Sequence, residues 1–247
     1  MRHRALTLLT LLALTLAACG GGGATETTTT AGEGAGTTTT EAAETTTTAG
    51  EPTGEPIRVG IITSTSGALQ TYGNQYLDGL EAGLAYATDG TNAVDGRPIE
   101  FVINDDGGDP ETAISQATTL VGEGMNIIAG TVVSGVAVQL AAFAEENGIL
   151  YISGPAATDA ITGANANTFR SGRQSYQDVA TAASLLDTNE GTVLVFAQDT
   201  EFGAANVAAV DAVLGARGFT VDSLLVPASE TEFTGVADQI NQAAPDL

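Results

Sequence analysis

Residues 57–88 read IRVGIITSTSGALQTYGNQYLDGLEAGLAYAT. The opening run, residues 57–63, is β-branched and almost wholly apolar, which predicts a strand buried on both faces. From residue 71 the apolar side chains fall at Tyr76, Leu77, Leu80, Leu84 and Ala87. That is the spacing of one helical face, so a helix is predicted over residues 71–88. The same alternation continues to the end of the chain. Strands are predicted at 99–104, 126–129, 149–153, 193–196 and 220–226. Helices are predicted at 110–122, 134–147, 176–188, 202–217 and 233–243, with a loop through Phe169, Arg170 and Ser171. Such alternation requires a mainly parallel sheet, right-handed crossovers and helices on both faces. The fold class is α/β.

Small molecules bind such sheets just beyond the carboxyl ends of the strands. The informative loops are therefore 63–72, 105–109, 130–135, 154–159 and 197–202. Four of these five are rich in small or hydroxylated residues, and none carries G-x-G-x-x-G, which argues against a dinucleotide site.

Composition narrows the chemistry further. Thirty acidic residues face seven basic ones, all arginine, for a formal net charge of −23. Without lysine there is no phosphate-cradling P-loop, Schiff base or Ser-x-x-Lys nucleophile. The single histidine is His3 and the single cysteine is Cys19. Beyond residue 19, Ser-His and Cys-His catalysis and the usual zinc sites are thereby excluded. So acidic a surface repels nucleic acid and anionic lipid. No enzymatic activity, metal or cofactor is expected. Asp105, Asp106 and Asp109 could suggest a metal, but Asp109-Pro110-Glu111 has the order of an N-cap, an N1 proline and a first-turn acid. The expectation there is a helix start.

The amino-terminal residues, MRHRALTLLTLLALTLAAC, combine Arg2 and Arg4 with a short apolar stretch. Residues 1–18 are read as a signal peptide, since the stretch is too short to span a membrane. Residues 16–19, Leu-Ala-Ala-Cys, resemble the bacterial lipobox, which makes Cys19 the lipidated residue. Residues 19–56 then form a tether. Thr tetrads recur at 27–30, 37–40 and 45–48, and no Val, Leu, Ile or aromatic residue lies between Gly20 and Pro56. Such a segment buries too little apolar area to offset the entropy of ordering.

Three further segments, GIITSTSGALQTYGNQYLDGLEAGL, INDDGGDPETAISQATTLV and GILYISGPAATDAIT, resemble the Leu/Ile/Val-binding-protein family in the same order. The resemblance runs from Ile57 to Leu247. It implies a type I periplasmic binding protein: two Rossmann-like α/β lobes of parallel sheet, hinged over a small ligand. Lobe 1 would span 57–168 and a partial lobe 2 would span 172–247, incomplete because family members run longer. The implied function is a lipid-anchored extracytoplasmic receptor that delivers an amino acid or related zwitterion to the permease of an ABC transporter. Other members bind urea, amides or aromatic acids, and similar lobes serve as sensing modules of signalling systems.

By residue, the resemblance implies that Ser134 holds a ligand carboxylate, a role compatible with capping the helix it opens. Ala156 offers a carbonyl and Thr158 a hydroxyl to the ligand's ammonium and carboxylate groups. Tyr72 lines the side-chain pocket from lobe 1, and Phe202 faces the cleft from lobe 2. The family's ammonium-binding acid would lie beyond residue 247. No metal site and no cofactor are implied.

The lipobox has a direct test, because the thioether lipid forms only on a thiolate. Cys19→Ser should move the protein from the membrane fraction to the soluble fraction of its host. A variant that still sediments with membranes would refute the anchor.

Overall fold

The computed structural model describes residues 52–247; the signal peptide, Cys19 and nearly all of the tether lie outside the described residues. Strand β1 (Ile57–Thr63) is central to a six-stranded sheet in the order β2-β3-β1-β4-β5-β6. The others are β2 (Ala93–Val94), β3 (Arg97–Asp105), β4 (Ile127–Gly130), β5 (Leu150–Ser153) and β6 (Thr168–Arg170). All pairings are parallel except β2 with β3. That pair is a hairpin the sequence reading passed over: Val94 pairs with Arg97 across Asp95-Gly96, both at positive φ, as a type I′ turn requires.

The period of two along β1 explains its composition. Ile57, Val59 and Ile61 point to one face, where they pack with Tyr76, Leu77 and Leu80 of helix α1 (Gln70–Ala87). Ile62 points to the other face, against α2 (Pro110–Gly122) and α3 (Ser134–Asn147). There Ala113, Ala117 and Leu120 of α2 and Val136, Ala137 and Leu140 of α3 are all at most 3% exposed. Gly60 is on this second face, and a Cβ there would lie only 2.7 Å from Leu120 Cδ1. Covered on both sides, the strand has no need of polar alternation.

The second half of the chain builds a separate two-stranded parallel sheet from β7 (Gly191–Gln198) and β8 (Phe219–Val226). Helices α4 (Ser175–Ala183), α5 (Glu201–Leu214) and α6 (Thr234–Ala243) belong to this half. Its core joins Ala183, Val193, Leu214 and Phe219. The backbone of Asp246 and Leu247 hydrogen-bonds to Thr192 and Leu194 on the side of β7 away from β8. The chain thus builds two parallel-type sheets where the alternation alone predicts one, in line with the two α/β lobes that the resemblance implies.

Three local expectations are corrected. Phe169-Arg170-Ser171 is not a loop throughout: Thr168–Arg170 forms β6, paired in parallel with β5 from Tyr151 to Ser153. Helix α4 stops at Ala183 rather than reaching 188. Arg217 takes the carbonyls of Ala183, Leu186 and Thr188 and so supplies the acceptors of the frayed end with donors. Ser134 is the first residue of α3, whose capping position is Val133, without a side-chain cap. In contrast, Asp109 caps α2 as expected, accepting from Thr112 N–H at 2.7 Å, with Pro110 and Glu111 following.

Each half turns from its first strand into its first following helix over a glycine. A Cβ on Gly73 would collide with the Ser64 carbonyl oxygen, and one on Gly203 would collide with that of Gln198. Gly79, also in α1, has open space around it. Gly73→Ala should therefore cost about 1–3 kcal/mol or more through overpacking. Gly79→Ala should gain about 0.5–1 kcal/mol from helix propensity. Urea melts of the two variants check this, and equal midpoints would contradict the close approach at Gly73.

Candidate functional site

The carboxyl ends of β1, β3, β4 and β5 meet over a buried polar floor. Thr63, Ser64, Thr131 and Ser153 are all fully buried, and Asp106 is 1% exposed. Ser64 Oγ donates to Asp106 Oδ1 at 2.6 Å, and Gly108 N–H donates to the same oxygen at 2.8 Å. Thr131 Oγ1 and the Tyr151 hydroxyl are 2.5 Å apart. Burial pushes the Tyr151 phenol up, and pushes that of Tyr76 up to about 12, so both stay neutral. Asp105 accepts from the amides of Thr65, Ser66 and Gly107. The Ser66 hydroxyl, chiefly, with those amides, holds its carboxyl at about 2. The acids of this loop are fasteners that set the β1 and β3 ends in place. Among the described residues no three acidic, histidine or cysteine side chains are grouped to hold a metal ion.

Above this floor lies the loop after β5, held by one guanidinium. Arg170 Nη2 donates to the carbonyls of Ala156 and Arg173, each at 2.8 Å. Its Nη1 donates to the Thr158 carbonyl at 3.0 Å and to Thr162 Oγ1 at 2.7 Å, and Nε reaches the Gly172 carbonyl at 3.3 Å. Partial burial lowers the Arg170 pKa from its ordinary value, with nearby Asp159 opposing the shift. The group remains a cation, since an arginine stays protonated in proteins. Its planar fork thus ties residues 156–162 to the 170–174 connection. Ser175 N–H adds a bond to the Ala157 carbonyl at 2.9 Å.

The expected ligand residues take different positions around this loop. Thr158 is fully buried, its Oγ1 accepts from Ala160 N–H at 3.2 Å, and it opens a 3₁₀ turn over Asp159–Ile161. Ala156 is also fully buried, and its carbonyl is turned onto Arg170 rather than toward open space. Ser134 is 3% exposed, at the first position of α3. Tyr72 and Phe202 are half-exposed, each directly before the glycine that presses its helix onto a strand end. The aromatic-glycine pair is thus one device used in both halves. It is visible in the sequence as Tyr72-Gly73 and Phe202-Gly203, each several residues after a strand.

Two functional candidates had no sequence signal. Arg170 is one, and Glu201, the first residue of α5, is the other. Thr200 caps α5 by accepting from Gly203 N–H at 3.1 Å, which fixes where Glu201 emerges. Thr158 Oγ1 then donates to Glu201 Oε1 at 2.9 Å, joining residues 43 positions apart. A groove of about 450 Å³ opens beside this contact, lined by Thr158, Asp159, Gln174, Tyr176, Glu201 and the alanine face of α5. Of the residues expected from sequence, Thr158 alone lines it. Hydroxyl donors, carboxylates and apolar surface in one groove suit a small polar molecule with an apolar part.

Comparison with known proteins points to one family. Residues 56–247 match the family described as Periplasmic binding protein. The Leu/Ile/Val-binding protein BraC3 of Rhizobium johnstonii is 27% identical over 199 residues, covering 77% of this chain and 53% of that protein. The chain spans about half the length of the curated relatives it matches. Among solved structures, an ABC-type branched-chain amino acid transporter protein of Rhodopseudomonas palustris is 35% identical, with a TM-score of 0.60. The match covers 76% of this chain and 52% of that one. A solute binding protein of an R. palustris ABC transporter, in complex with benzoate, is 28% identical with a TM-score of 0.66, covering 77% and 54%.

The Arg170 clamp gives the test of this geometry. Arg170→Lys keeps the charge but loses the fork, so it cannot serve all the carbonyls now held. The variant should lose about 2–4 kcal/mol of stability. In hydrogen exchange it should also lose protection at the amides of Ala160 and Ser175. Unchanged protection there would mean that the loop is held by other contacts.

Proposed function

The chain belongs to the periplasmic binding protein family, and from that premise we propose that it is the extracytoplasmic solute receptor of an ABC transporter. Its ligand is a small zwitterion of the branched-chain amino-acid class. The observation that carries this reading is Thr158. Its hydroxyl is fully buried, clamped through its own loop by Arg170, and aimed across the groove at the second half of the chain. A donor fixed in this way loses little entropy when it meets a ligand carboxylate.

In the proposed mechanism the two halves, 57–168 and 172–247, act as lobes that close by a hinge. Tyr72 and Phe202 approach the ligand's apolar part from opposite sides. The hydroxyl of Ser134 at the start of α3 and the Thr158 hydroxyl take the carboxylate. Ala156 contributes through the backbone of the clamped loop. Closure removes water, so the charged groups of the ligand interact more strongly than they would in solution. Delivery to the permease follows from a membrane-bound location, for which lipidated Cys19 and the tether supply the means.

A second reading, a receptor for aromatic acids, is favoured by one specific observation. Tyr72 and Phe202 offer two half-exposed rings, and the R. palustris relative was solved with benzoate.

A melting-shift screen separates these readings, because a ligand that binds only the native state stabilises it, by about 2.7 kcal/mol at a hundredfold excess over Kd. Leucine, isoleucine and valine should raise the melting temperature of the full protein more than benzoate does. Thr158→Ser should keep the leucine shift, whereas Thr158→Val should weaken binding by about 1–3 kcal/mol. No shift with any of these compounds would reject the receptor proposal. Equal affinity in Thr158→Val would remove Thr158 from the site.

A further inference from the structure

The contact between Thr158 and Glu201 has a chemical consequence for ligand choice. The Thr158 hydroxyl has one proton, and that proton is given to the Glu201 carboxylate. One of its lone pairs is taken by Ala160 N–H. A ligand carboxylate can therefore gain this donor only by displacing another carboxylate. The stem of Glu201 also lies against the first turn of α3, where a Cβ on Gly135 would be 4.0 Å from that of Glu201. Glu201 thus bonds Thr158 directly and lies beside the helix turn that carries Ser134.

Among the described residues no cation lines the groove to bond a ligand carboxylate. Asp159 lines the same groove, and no arginine does. Arg170 lies behind the loop with its donors already committed to Ala156, Thr158, Thr162, Gly172 and Arg173. A displaced Glu201 would stay on α5, held by the Thr200 cap, within reach of the newcomer. A plain carboxylic acid would then face the like charge of Glu201 and Asp159. A zwitterion brings its own ammonium, which can accept the displaced carboxylate as a partner.

We propose that Glu201 is a specificity residue: its carboxylate holds the Thr158 hydroxyl, and admits ligands that carry an ammonium group while opposing those that do not. This inference rests on the receptor reading above. It differs from it in assigning discrimination, and not only affinity, to a side chain of this chain.

The test is calorimetry on the full protein with two probes, leucine and benzoate, in wild type and Glu201→Gln. Glutamine keeps an acceptor for Thr158 and removes only the charge. The variant should bind leucine about tenfold or more weakly and benzoate more tightly than wild type does. Glu201→Asp, which keeps the charge, should retain the wild-type preference and guards against a folding defect in the glutamine variant. If affinities for both probes move in the same direction, or neither moves, Glu201 is a structural latch and the inference is overturned while the receptor reading stands. If wild type binds neither these probes nor the other amino acids of the screen, the receptor reading itself falls, and the inference with it.

Discussion

One guanidinium, that of Arg170, holds together the part of the molecule on which the site depends. It bonds carbonyls on both sides of the crossing between the two halves, at Ala156 and Thr158 and at Gly172 and Arg173. No acid makes a direct ion pair with it among the described residues. Carbonyl dipoles offset its desolvation instead, and those of buried Ala156 and Thr158 gain a donor in return. A fork of five donors in one plane suits this task, and a lysine ammonium does not. The choice is informative in a chain with so large an acidic excess. Arg97 and Arg217 are likewise spent on backbone carbonyls, at Glu55 and Pro56 and at Ala183, Leu186 and Thr188. Three of the five described arginines thus stitch backbone, while Arg58 and Arg173 form exposed pairs with Glu123 and Asp178, which contribute little.

Around that clamp the two halves repeat one construction. A strand ends, the chain turns, and a glycine allows the next helix to press against the strand's last carbonyls. The residue before the glycine is then carried to the carboxyl end of the sheet, where it stays half-exposed as Tyr72 or Phe202. In the first half Asp105 and Asp106 bind the loops from below. In the second, Thr200 sets the helix start and so the position of Glu201. The groove between Thr158 and α5 is therefore bounded by a loop held by Arg170 and a helix start set by Thr200.

Much of this was legible in the sequence, for physical reasons that differ by element. β1 and α2 carry strong local signals: a β-branched run for the first, and an Asp-Pro-Glu start with helical spacing for the second. β6 carries none. Its three residues are buried, exposed and intermediate in turn, and only the ladder to β5 makes them a strand. The end of α4 was misplaced because the helical pattern of 176–188 continues while Arg217, far along the chain, captures its last carbonyls. Thr158 could be named from its resemblance to a motif, but its partner could not. The bond to Glu201 exists only when two helices and a loop are brought together across 43 residues, and no local pattern encodes it.

The most direct measurement is a crystal structure of the full protein with leucine bound. The account predicts the ligand carboxylate on Thr158 Oγ1, the 156–162 loop still held by Arg170, and Glu201 turned from Thr158 toward the ligand ammonium. A ligand seated elsewhere, with the Thr158–Glu201 bond intact, would contradict it.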